Sequence, residues 1–252
     1  MAKRTLLEMV QNILNDLDSD EVNSIDDTVE AQQVANIIKT CYYEMISNRN
    51  WPHLKKLVQF EAAGDLSKPT YLTVPTGLKE LITFHYDKRK VGDTRSRLEE
   101  VKYKTPEEFL VYTSARNSDL TNVIETVDYS GSLILVLNDV APSYWTTFDD
   151  TYLVCDSYNA SLDDTLKKSK TQCLAYIEKP WVHTDGAIPD LPDDAFSALE
   201  EEAKSTAFIN LKQVANQKAE QKAGRQNRWL ARKAWRLNGG IQYEDYGRRN
   251  RR

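Results

Sequence analysis

Three histidines, three cysteines and two pairs of adjacent aspartates are the residues of this chain whose types could do chemistry. Their spacing supports little of it. His53 follows the Trp51-Pro52 turn, His85 lies in an apolar run and His183 in a loop, and none stands at metal-ligand spacing to a cysteine or to another histidine. There is no Gly-x-Ser-x-Gly elbow and no glycine-rich phosphate loop, and nine glycines in 252 residues supply few loops of that kind. Asp149-Asp150 and Asp163-Asp164 could hold a metal or work as general acids. Adjacent acids are also ordinary turn and cap residues, which is the reading favoured here. Cys41, Cys155 and Cys173 have neither metal nor redox spacing, and their odd number argues against a disulfide framework. Cys155 and Cys173 read as small buried fillers. The sequence therefore predicts no catalytic residue, no cofactor and no metal, and a protein that is not an enzyme.

Charge carries a stronger signal. The whole chain has a net charge of −5. From Lys218 onward eleven Lys/Arg face only Glu220, Glu244 and Asp245, a net of +8, so the residues before Lys218 carry −13. An acidic body thus bears a basic arm, and such an arm reaches for something outside its own core. At 100° per residue, Lys218, Lys222, Arg225, Arg228, Arg232 and Arg236 fall within about a third of a helix circumference, with Ala219, Ala223, Leu230, Ala234 and Leu237 on the other side. Trp229 and Trp235 lie in the same stretch, and tryptophan and arginine are favoured at interface cores. Thirteen tyrosines against six phenylalanines also suit surfaces that are buried without being dry.

The elements that must position this arm follow from periodicity. Leu6, Leu7, Val10, Ile13, Leu14 and Leu17 predict a first helix, and Val34, Ile37, Ile38, Cys41, Tyr42, Met45 and Ile46 a second, which ends before Pro52. Strands are expected at 57–60, 71–74, 81–86, 101–103, 122–125, 133–137 and 173–177, with a hairpin turn at Asp128-Tyr129-Ser130-Gly131. Thr105-Pro106-Glu107-Glu108 starts a short helix to about Thr113. Residues 138–150 read as a loop holding Tyr144, Trp145 and Phe148, and Tyr152–Cys155 reads equally as a strand or a helix start. After Pro189 and Pro192, capped by Asp193 or Asp194, one long helix is expected to about Leu237, with Phe196, Leu199, Ala203, Ala207, Leu211 and Val214 as its apolar stripe. Asn238-Gly239-Gly240 stops it. The expected fold class is α+β. A helical bundle from both chain ends (1–51 and 188–237) carries an inserted, mostly antiparallel β-rich region (52–187), and 238–252 form an extended basic tail. No stretch approaches the ~18 apolar residues of a membrane span, and the N-terminus leads into an amphipathic helix rather than a signal sequence, so a soluble protein made and used in a cytoplasm is expected.

The layout resembles the head-to-tail adaptor proteins of short-tailed bacteriophages, the group that includes tail tubular protein A and the tail accessory factors that dock beneath the portal. Four stretches carry the resemblance: Ile46-Ser47-Asn48-Arg49-Asn50-Trp51 at the end of an early helix, Pro142 to Asp150 with its aromatic residues, Ile188 to Phe196 leading into a glutamate-rich helix, and the basic, glutamine-rich C-terminus. The resemblance implies a structural virion protein of the tail or neck, assembled in the host cytoplasm. It implies a ring of twelve copies that joins the portal protein to the tail nozzle protein, with double-stranded DNA passing through its channel without specific binding. Carried onto this chain, the portal-docking residues would be Arg225, Arg228, Trp229, Arg232, Trp235, Arg236, Arg248, Arg249, Arg251 and Arg252. Tyr144, Trp145 and Phe148 would face the nozzle or a neighbouring subunit. The chain is longer than the shortest members, and the extra residues fall in the β insert.

Two other readings stand beside it. A nucleic-acid-binding protein could use the basic arm, since Lys/Arg runs with interleaved tryptophan grip phosphates and stack on bases. A body at −13 would repel that ligand. A hydrolase whose loop aromatics line a sugar site is the third.

Overall fold

The computed structural model describes residues 3–90 and 92–237, with side chains as far as Ala231. Its helices are α1 (Leu6–Asp16), α2 (Val29–Ser47), α3 (Pro106–Ser114), α4 (Phe196–Lys212) and α5 (Gln217–Leu237). Its strands are β1 (Lys55–Val58), β2 (Glu61–Ala62), β3 (Tyr71–Thr73), β4 (Leu78–Asp87), β5 (Leu98–Glu100), β6 (Lys102–Tyr103), β7 (Val123–Val127), β8 (Leu133–Leu137), β9 (Tyr144–Thr146), β10 (Tyr152–Cys155) and β11 (Thr171–Ile177). The chain is thus a mixed α+β protein, and its contacts divide it into two compact units. One is built from both chain ends, to Leu54 and from Lys179; the other is Lys55–Glu178.

In the first unit α4 packs against α2, α1 and α5. Leu6, Met9, Val10 and Ile13 of α1, Val34, Ala35 and Ile38 of α2, and Leu199, Ala203 and Ala207 of α4 are fully buried. The helix starts are capped locally. Thr5 and Glu8 form a reciprocal capping box on α1, and the Thr28 hydroxyl accepts from the Ala31 N–H on α2. The Leu6 N–H, one of the orphan donors of α1, donates to Ala187 O at 2.8 Å, so the segment before α4 is tied to the first helix. Trp51 is buried, with its indole N–H donating to Met45 O at 2.9 Å.

The single long helix expected from Asp193 to Leu237 is two helices. Gln213 adopts a left-handed conformation (φ 54°, ψ 29°) and ends α4, while the Asn216 side chain accepts the Ala219 N–H and starts α5. Neither glycine nor proline marks this break. Chain reversal folds α5 back along α4, and the packing gained outweighs the modest cost of a left-handed non-glycine residue. The apolar stripe shortens accordingly, with Leu211 half-buried and Val214 59 % exposed. Nor do Asp193 or Asp194 cap α4. Residues Asp193–Ala195 form a 3-10 turn, and Ala195 precedes the helix without a side-chain cap.

In the second unit the strands make a four-stranded sheet in the order β1-β11-β4-β5, a five-stranded sheet β2-β3-β10-β9-β6, and the hairpin β7-β8. Every pairing is antiparallel except β6 with β9. Phe60, Leu72, Phe84, Tyr86, Leu153, Cys155 and Cys173 form one core cluster, and Tyr71, Phe109, Ile134, Val136 and Val154 another. The expected loop over 138–150 contains β9, a three-residue strand too short to show an alternating pattern in sequence. Tyr152–Cys155 is a strand. Gly77 stands at φ 78° with the Glu178 carbonyl 2.2 Å from where a Cβ would be, so only glycine lets the start of β4 lie against the end of β11.

Candidate functional site

α5 has two unlike sides. Ala219, Ala223 and Leu230 are buried, and small alanines let α5 lie close to α4. Lys218, Lys222, Arg225 and Arg228 are exposed on the other side. Lys222 Nζ reaches Glu201 on α4 at 2.8 Å, and this hydrogen bond raises the lysine pKa. The Arg225 and Arg228 Nε–H groups donate to the carbonyls of Gln221 (3.3 Å) and Gly224 (3.1 Å) one turn back, which lays both guanidinium groups along the helix. Trp229 is 49 % exposed. Beside it Asp194, Arg225, Gln226 and Trp229 line an open groove of about 400 Å³. Of the predicted docking residues, then, the structure brings Arg225, Arg228 and Trp229 onto one exposed surface. The side chains of Arg232, Trp235 and Arg236, and all of Arg248, Arg249, Arg251 and Arg252, lie outside the described residues.

The aromatic trio expected on a partner-facing loop is placed differently. Tyr144 and Trp145 belong to β9 and are half-buried. The Trp145 ring lies 4.9 Å from Tyr103 and 6.3 Å from Phe84, and Tyr144 lies 5.1 Å from Tyr112 with Lys104 Nζ 4.5 Å from its ring centre. Both are therefore engaged in the sheet's own packing, because β9 is covered by α3 and by the β4 face. Phe148 reaches the surface beside Phe109, centroid to centroid 6.2 Å.

Sequence reasoning missed one extended polar arrangement among the described residues. Arg116, just past α3, is buried against Asp156, just past β10, with Nη2 3.0 Å from Oδ2. Arg116 Nη1 also donates to Leu135 O and Asp156 O, and Asp156 Oδ1 accepts the N–H groups of Ser143 and Tyr144 at 2.9 Å. Forty residues separate the partners, and neither sits in a motif, so no local signal announces them. These bonds fasten the segments after α3 and β10 to β8 and β9.

His53 Nε2–H donates to Asp190 O at 2.8 Å, His183 Nδ1 accepts from Trp181 Nε1–H at 3.4 Å, and His85 sits on β4 opposite Gln172 and Glu100. Asp149 accepts the N–H groups of Thr151 and Tyr152 in a turn, and Asp163 pairs with Lys170. Burial pushes the Cys41 thiol up to about 11 and Cys173 to about 12, and Cys155 well above its ordinary value, the reverse of what a nucleophilic thiolate needs. Among the described residues no group of three or more His, Cys, Asp or Glu gathers as a metal site. No helix among them is long and apolar enough to cross a membrane.

No family model matches this chain, and no curated protein matches it.

Proposed function

We propose that this chain is a structural, ring-forming adaptor that joins a portal to a tail nozzle in a short-tailed phage and surrounds the channel through which the genome passes. The observation that carries the reading is the two-sidedness of α5. Its alanine side is spent on α4, and its cationic side, with a half-exposed tryptophan, faces outward. A helix so built has one face for its own fold and one for another molecule. In this reading the helices of both chain ends are a bundle, and the basic stretch beyond Leu237 is the portal-docking arm. The acidic body suits a DNA channel, since a cationic lumen would hold the phosphates and slow their passage.

The test is mass photometry of the purified chain, alone and with a dodecameric portal. A saturating complex with one chain per portal subunit is expected, and removal of Gly239–Arg252 is expected to weaken it without unfolding the chain. Absence of a portal complex overturns the adaptor reading. The same cationic face and Trp229 favour nucleic acid as the second reading. Salt-sensitive binding of duplex or single-stranded DNA without portal binding would put it first.

A further inference from the structure

The chain has no lysine or arginine between Arg4 and Lys39, and it places eight acids there. Most of them fall between α1 and α2. Val22 and Ile25 anchor this connection in the core, and Asp27 accepts the N–H groups of Asn23 and Ser24, so the turn is held in one shape. Asp18, Asp20, Glu21 and Asp26 are exposed on it. Val29, the first residue of α2, stands 71 % exposed beside them, an aliphatic knob set among carboxylates. On the same unit, α5 presents the opposite: Lys218, Arg225 and Arg228 are exposed along one side of it, and Arg225 and Trp229 line a groove together with Gln226 and Asp194. Among the described residues none of these three cations forms an ion pair, and neither do Asp18, Asp20, Glu21 or Asp26. One folded unit thus carries two surfaces of opposite charge, one with an apolar knob and one with a groove lined in part by an indole.

We propose that the α5 face from Lys218 to Trp229 is the docking surface for the acidic α1–α2 turn of a second copy of this chain, with Val29 entering the groove beside Trp229. Two different patches of one protein meeting head to tail make a heterologous contact, the kind that closes into a ring when the rotation between copies allows it. Opposite potentials steer such an encounter and fix its register. The proposal rests on the ring-adaptor reading and assigns its lateral contact; it takes Arg225, Arg228 and Trp229 from the expected portal-docking set for that contact and leaves the stretch beyond Leu237 to the portal.

Sedimentation velocity of the full chain, free and with portal, tests this with two charge-reversed variants, Arg225→Glu/Arg228→Glu and Asp20→Lys/Asp26→Lys. All four positions are exposed, so each variant is expected to keep the wild-type circular dichroism melt. Wild-type chain is expected to self-associate, with an affinity that falls as salt shortens the Debye length from about 10 Å at 0.1 M to about 3 Å at 1 M. Each variant alone is expected to self-associate at least about tenfold more weakly, the loss of ~1.4 kcal/mol. An equimolar mixture of the two is expected to recover, because every contact in it is again between opposite charges. Val29→Ser is expected to weaken association without changing its salt dependence. Self-association unaffected by either charge reversal, a mixture that stays dissociated, a wild type that is monomeric both free and with portal, or duplex DNA binding lost with Arg225→Glu/Arg228→Glu while self-association persists would each overturn the proposal. Loss of portal binding by wild-type chain that still self-associates through these faces would overturn the adaptor reading instead.

Discussion

Arg116 and Asp156 form a largely buried ion pair in which the guanidinium also meets two backbone carbonyls and the carboxylate two backbone N–H groups. A buried pair is weak evidence of net stabilisation, but removing one partner strands the other in a low dielectric. Arg116→Met should therefore cost about 3–5 kcal/mol in urea unfolding. Asp156→Asn should cost less, since the amide oxygen can still accept from Ser143 and Tyr144. Equal losses for the two would mean that charge, rather than the fastening of β9, is what the site requires.

Leu199 is fully buried and Leu211 only half-buried, although both belong to the stripe read from the sequence. Leu199→Ala should destabilise by about 2–5 kcal/mol. Leu211→Ala, near the end of α4, should cost less than about 1 kcal/mol, as surface positions do. Denaturant midpoints measured at constant m-value decide between these, and reversed magnitudes would show that α4 turns its other face inward.

Glu202 on α4 has its carboxyl pKa raised, first by burial and then by Glu44 on α2 and Glu220 on α5. A carboxyl raised in the folded state contributes stability that is full below the ordinary value of 4.5 and lost as pH climbs through the folded one. At neutral pH the ionised Glu202 is thus a small burden. Glu202→Gln should raise stability at pH 7 by under about 1 kcal/mol, the partial exposure screening the rest. The gain should vanish at pH 4, and unfolding curves of both proteins at the two pH values check it.

Much of the architecture was legible in residues. The 3.6 periodicity of Leu6–Leu17 and Val34–Ile46 marks α1 and α2, because an apolar stripe can be buried only in a helix of that phase. Thr105-Pro106 starts α3, and Asp128 to Gly131 turns the β7-β8 hairpin, because cap and turn geometry is decided by adjacent residues. The alanine and cationic sides of α5 were likewise readable from spacing alone. The reversal at Gln213 was not, since no local residue demands it and α5 gains its place only from packing on α4. Nor was β9, whose Tyr144 and Trp145 are strand residues only because β10 and β6 lie on either side. The Arg116–Asp156 pair belongs to the same class. Local propensity and amphipathic phase are properties of neighbouring residues, so the sequence by itself determined them. Edge pairings, helix reversals and buried charge pairs join residues far apart in the chain, and only the tertiary structure decided those.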